Sequence, residues 1–220
     1  MADAFWSLLP TALAVALSPI PIVAIVLILG TPRAGGNGPA FAAGWVAGLS
    51  AVGALVLLVL GSTDGASEEE GVGWMQLGIG AAFLVMALLQ WRKRPAAGTE
   101  PEPPGWMATI DGVTAGRATG LGLALSGANP KNLALTLAAA ATIAEAGLSS
   151  GEELAALAAF VAIGSASVLG PVLAHAIAPG PTTRPLGAIK GFMTRHSATV
   201  MAIVLVLIGA KLLAEGLSTI

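Results

Sequence analysis

Apolar and polar positions along the chain fall into long blocks rather than a short amphipathic period. Six mainly apolar runs stand out, Phe5 to Leu29, Pro39 to Gly61, Val72 to Trp91, Gly116 to Ile143, Leu154 to Ala178 and Ser197 to Leu217. About 20 such residues make a helix long enough to cross the hydrocarbon layer. The pattern predicts an all-α polytopic membrane protein with six transmembrane helices. Trp6, Trp74, Trp91 and Trp106 fall near run ends or in flanking segments, where an indole suits the headgroup region. Trp45 lies deeper and reads as a packing residue. Residues 92–115, rich in Pro and charge, separate three runs from three. They read as a largely extended linker with a turn around Trp106, between a first repeat at 1–91 and a second at 116–220 of one integral membrane domain.

Composition supports this class. Hydrophobic residues make up 55% of the 220 and charged residues 10%, with 29 Gly and 14 Pro. A soluble domain carries about 25% charged residues and could not hide this much apolar surface. The absence of cysteine excludes disulfides and thiolate chemistry. Met1-Ala2-Asp3 gives the first run no basic flank, so that run is expected to be retained as a span rather than cleaved.

The charges sort by connection. Arg33, Arg92, Lys93, Arg94, Arg117, Arg184, Lys190 and Arg195 fall on one side, against Lys211 on the other. The opposite side collects Asp64, Glu68, Glu69, Glu70, Glu145, Glu152 and Glu153. The positive-inside rule then places connections 1–2, 3–4 and 5–6 in the cytoplasm and both termini outside the plasma membrane.

Two runs are interrupted deep inside. The first holds Ser18-Pro19-Ile20-Pro21, and the fourth holds Ser126 followed by Asn129-Pro130-Lys131-Asn132. Each first proline of a break lies about 14 residues into its run, near mid-bilayer at about 1.5 Å per residue. Proline donates no hydrogen bond and turns the preceding residue away from helical geometry. The carbonyls of Val15, Leu17 and Ser126 therefore lose their usual donors and need protein or a wet cavity. Placing Pro19 on Pro130 brings run two close to run five, and Gly44 and Gly48 onto Ala155 and Ala159. Three spans per half invert the halves relative to each other, the pattern of transporters whose broken helices meet at the midplane.

Lys131 is the outstanding polar residue, because a lysine at this depth costs roughly 2.5–3.5 kcal/mol on insertion scales. Intramembrane ionisable residues mark function by default. No Asp or Glu lies deep in any run. The possible partners are water, freed carbonyls, Asn129, Asn132 or an anionic group on a substrate, against the plainer reading that Lys131 caps broken backbone. Ser18, Ser126, Thr136, Ser165 and Ser167 are weaker candidates, since Ser and Thr commonly bond to helix carbonyls. His175 reads as interfacial or packing, and His196 as solvated. Lys211 and Glu215 are spaced to pair. Asp111 is placed to cap a short interfacial helix or to contact Arg117. Gly44-x-x-x-Gly48 and Gly116-x-x-x-Gly120 allow close helix approach, within one subunit or across a homodimer.

Ile110-Asp111, Gly116-Arg117-Ala118, Gly120-Leu121-Gly122, Asn129-Pro130-Lys131-Asn132-Leu133 and the close Arg195-His196 with Gly209-Ala210-Lys211-Leu212-Leu213 carry a resemblance. The chain resembles the peptidoglycolipid addressing protein family of the lysine exporter superfamily, whose members look like two inverted three-helix repeats. The resemblance implies export, of amino acids in one branch and cell-envelope glycolipids in another. It marks Ser18, Pro19, Pro21, Asn129, Pro130 and Lys131 as substrate-site positions, and the flanking polar Ser126 and Asn132 join them.

The expected function is a secondary exporter of a small or lipid-linked solute bearing an anionic group, by alternating access between the halves. The expected partners are membrane lipids and an amino-acid-like or glycolipid substrate, with no nucleic acid. No nucleotide-binding motif, cofactor motif or carboxylate set for a metal appears. A lipid-processing enzyme would need acid–base groups beside Lys131, and none is present in sequence. A non-transporting accessory or scaffold for envelope glycolipid export is the alternative.

Overall fold

The computed structural model describes residues 2–60, 68–92, 110, 112–178 and 183–219. The described residues are helical, with no strand among them. The first run is two helices, α1 (Ala2–Ala16) and α2 (Pro19–Leu29), bent by 53°. Helix α3 (Ala34–Leu60) and α4 (Glu68–Arg92) follow. The fourth run is α5 (Ala115–Leu123), a π-helical turn (Ala124–Ala128) and α6 (Pro130–Glu145). The fifth is α7 (Ser150–Gly164) and α8 (Ala166–Ile177), bent by 63°, and the last is α9 (Thr183–Thr219).

By length and composition, Ala34–Val59 and Ala198–Ser218 can each cross a membrane, and the two bent pairs raise the number to four. The other two expected runs fall short of that measure. Among the described residues, the apolar stretch of α4 at Gln76–Arg92 is shorter than that measure, and the fourth run is broken. Exposed Leu55, Leu58, Val59, Val85, Leu88, Leu89, Ile203, Val206 and Leu207 leave an apolar exterior that water would not tolerate. The protein is a membrane protein.

Small residues set the helix pairing. Helices α4 and α9 run antiparallel, with Gly80 against Gly209 and Gly73 against Gly216. A Cβ on Gly80 would lie 2.9 Å from the Gly209 oxygen, and one on Gly216 would lie 2.7 Å from the Gly73 oxygen. Helices α3 and α5 run in the same direction. Gly44 touches Thr119, Gly48 touches Leu123 and Ser126, and Val52 approaches Gly127. Gly44-x-x-x-Gly48 thus packs inside the subunit. Gly116 and Gly120 do not pack at all, as no atom lies within 4 Å of a Cβ placed on either. The close approach on α5 comes from Gly122, seated against the Phe41 carbonyl and Trp45. Ala118, Gly122 and Ser126 form the buried face, two positions out of phase with the expected pair.

Trp45 is fully buried among Phe41, Leu49 and the other core residues, while Trp6 and Trp74 are exposed. Ala155, the expected counterpart of Gly44, is exposed, and the buried face of α7 carries Ala156, Leu157, Phe160 and Val161 instead. The basic connection between runs five and six is mostly helix. Helix α9 begins at Thr183, with Pro185 in its first turn where proline is tolerated. Trp106, Asp64 and Asp111 lie outside the described residues. At the linker's end, Ile110 and Val113 are buried, and the Asn37 amide donates to the Val113 carbonyl at 2.8 Å. This ties the first turn of α3 to the entry of α5.

Candidate substrate site at two broken helices

The two breaks share one backbone solution. Ser18 (ψ 111°) and Asn129 (ψ 119°) are extended, each followed by a proline that opens a new helix. Proline at the first helical position costs nothing, because its missing N–H is one that a helix start leaves unpaired. Asn129 caps α6, its side-chain oxygen accepting from the Lys131 N–H at 3.1 Å. Ser18 does not cap α2 with its side chain, which leaves that hydroxyl for a tertiary contact.

That contact is the centre of the site. The Ser18 hydroxyl donates to Asn132 Oδ1 at 2.9 Å and accepts from Lys131 Nζ at 2.9 Å. Lys131 Nζ also donates to the Ala14 carbonyl at 2.7 Å, and Asn132 Nδ2 to the Leu125 carbonyl at 2.8 Å. Two consecutive side chains at the start of α6 thus repair both breaks. The carbonyls they serve lie one residue before Val15 and Ser126, two of those expected from proline alone. The reason is the extended residue before each proline. The Ser18 N–H turns to the Val15 oxygen at 3.1 Å, so the Ala14 oxygen is the one freed.

Lys131 is 5% exposed, Ser18 2% and Asn132 0%, so the site is closed from water. Among the described residues no carboxylate pairs with Lys131, whose partners are a carbonyl and a hydroxyl. An ammonium has three donors, and two are used. The N-cap residue of α2, Ser18, lies against the first turn of α6, and helix N-termini carry partial positive charge. The arrangement suits an anionic group.

The other expected positions are distributed around this cluster. Pro19 and Pro21 are buried in the first turn of α2, Asn129 is half-buried and Pro130 is exposed. Ser126 is buried but stands apart. Its hydroxyl bonds back to the carbonyls of Gly122 (2.9 Å) and Leu123 (3.2 Å) and packs against Gly48. Thr136 likewise bonds back to the Asn132 carbonyl at 2.8 Å. His175 is half-buried, and His196 is exposed and stacked on Phe192 at 4.6 Å.

One feature went unseen in the sequence. The fifth run breaks at Ser165, which is fully buried with an unpartnered hydroxyl. Gly164 beside it lies against Val15 (3.1 Å from a Cβ to the Val15 side chain), so this break adjoins that of the first run. No proline marks it, and the only signal was Gly164-Ser165 itself.

A family model described as "Sap, sulfolipid-1-addressing protein" matches residues 8–218. The chain belongs to this sulfolipid-1-addressing protein family. The match spans both halves and every residue of the Ser18–Lys131–Asn132 cluster. It agrees with the resemblance to addressing proteins and leaves the wider superfamily as an expectation. No curated protein and no solved structure matches the chain.

Within this site, Ser18→Ala removes the bridge between Lys131 and Asn132. The expected cost is about 1 kcal/mol, typical of an interhelical side-chain bond in a membrane. Thermal unfolding in detergent checks it. An unchanged midpoint would show that the bridge contributes no stability.

Proposed function

We propose that the protein is a membrane carrier for an anionic, lipid-linked solute, and that the sulfate of a sulfolipid is the group it holds. The observation that carries this reading is Lys131, buried without a carboxylate and held between the two broken helices with one donor to spare. The family description supplies the lipid class. An anion entering the site would take the spare N–H and compete for the bond to Ser18. The Ala14 and Leu125 carbonyls would remain anchored.

In this reading the halves 1–91 and 116–220 are inverted repeats that rock about the cluster, as in carriers built from inverted repeats. The basic connections face the cytoplasm. Parallel α3–α5 and antiparallel α4–α9 support that arrangement, because spans two and four then share a direction while three and six oppose. In this reading the chain is a carrier rather than an enzyme.

A second reading, an accessory that positions an export machine without moving lipid itself, is favoured by the same hydrogen bonds. They satisfy Lys131 well enough for a purely structural role. Reconstitution decides between them. Purified protein in liposomes should transfer a sulfated, acylated sugar lipid between leaflets at least about tenfold faster than protein-free vesicles. Background transfer, with retained binding to envelope-export partners, would establish the accessory role.

A further inference from the structure

We propose that Gln76 and Glu145, at the far end of α6 from Lys131, form a proton-binding site whose protonation from the adjoining aqueous side gates the carrier cycle; the gating part rests on the carrier reading above.

Gln76 on α4 is 2% exposed. Its Nε2 donates to both oxygens of Glu145, at 2.9 Å and 3.3 Å, while its Oε1 is buried with no partner. An ionised carboxylate only accepts, so it cannot serve that orphaned oxygen. A neutral carboxyl can. It offers one O–H and one C=O, the complement of a primary amide, and the two groups close a cyclic pair of hydrogen bonds. The buried amide is therefore fully satisfied only when Glu145 has taken up a proton from the adjoining aqueous side. The step is carboxylate plus proton to carboxylic acid, with no other bond made or broken.

The surrounding charge favours the same state. Lys211 and Glu215, one turn apart on α9, form an ion pair at 2.7 Å within electrostatic reach of Glu145. Two carboxylates thus share one ammonium. Helix α4 presents Gln76 here and no charged group among its described side chains near it. On α7, Glu152 is engaged by Ser149, and Glu153 lies in a groove against α3. Glu145 follows the end of the apolar run at Ile143. Partial burial and the charge of Glu215 hold its carboxyl above the usual carboxylate range, against the opposing effects of the Gln76 bond and Lys211.

The location gives the proton a consequence. Helix α6 carries Lys131 and Asn132 in its first turn and ends on Glu145, a 16-residue rod. The Gln76–Glu145 bond ties that rod to the α4–α9 pair. A change of protonation at one end therefore changes how the rod bearing the anion site is fastened.

An infrared titration of the purified full chain in liposomes tests the site with protons alone. A protonated-carboxyl band is expected to persist above the pH range in which ordinary glutamates lose theirs. It should vanish in Glu145→Gln, which keeps the shape and can still pair with Gln76. It should shift in frequency in Gln76→Met, where the acid loses its partner. No such band, or one that survives Glu145→Gln, overturns the proton site. For gating, exchange of a sulfated, acylated sugar lipid is followed in vesicles at equal pH on both sides, across the range in which that band titrates. Exchange should change at least tenfold across that range in the native protein and become independent of pH in Glu145→Gln. A pH dependence that survives Glu145→Gln overturns the gating role. Absence of lipid movement in the native protein overturns the carrier reading, and the infrared result still decides the proton site.

Discussion

Lys131→Met is expected to reduce lipid export by about tenfold to a hundredfold while leaving the protein folded. The lower and upper bounds correspond to losing one charge-assisted hydrogen bond to the anion, about 1.5–3 kcal/mol. Stability should hardly move, because two large effects oppose each other. Removing the ammonium relieves roughly 2.5–3.5 kcal/mol of insertion cost. It also orphans the Ala14 carbonyl and withdraws a donor from Ser18, which costs about 1–3 kcal/mol. Methionine keeps the length and fills the space. A folded Lys131→Met protein that exports at the native rate would remove the anion site from the mechanism. A protein that fails to fold would mean that Lys131 serves as backbone repair above all. The paired measurement is thermal unfolding in detergent beside sulfolipid export from cells.

The second large effect is expected at Gly122. A methyl group there would drive into the Phe41 carbonyl and the Trp45 backbone, atoms that a helix cannot move singly. Overpacking of this kind costs about 1–3 kcal/mol and occasionally more. Gly122→Ala should therefore lower the unfolding midpoint and the yield of monodisperse protein. Gly44→Ala on the facing helix should do the same, and the double variant should cost less than the sum, since both act on one contact. Gly116→Ala and Gly120→Ala, with open space around them, should be neutral or slightly stabilising through helix propensity. A Gly122→Ala protein as stable as Gly120→Ala would show that α3 and α5 are not held as described.

That contrast shows what could be read from the sequence. A small-xxx-small spacing names residues that allow approach but not the face that uses it. Gly116 and Gly120 fit the motif on the side of α5 away from α3, while Ala118, Gly122 and Ser126 form the working face. The two deep breaks were legible because proline acts locally, through its missing N–H and its effect on the residue before it. The partners of Lys131 were legible only by type. A freed carbonyl was expected, but Ala14 lies 117 residues away, and its selection depends on how the Ser18 N–H turns. The break at Ser165 was hidden for the opposite reason, since it has no proline and its neighbours keep ordinary helical bonds. The Lys211–Glu215 pair followed from i, i+4 spacing alone. Gln76 joined them only through tertiary contact with Glu145.

The long-range repair of the first break also bears on how the chain is made. The Ala14 carbonyl is freed when α1 and α2 enter the membrane, yet its donor is encoded 117 positions later. At typical rates of synthesis that interval is on the order of 10 s. During it, the nascent first half holds an open backbone acceptor in the bilayer, to be met by water or by a helper protein. A ribosome stalled before Lys131 would leave this half in a state that quality control can recognise.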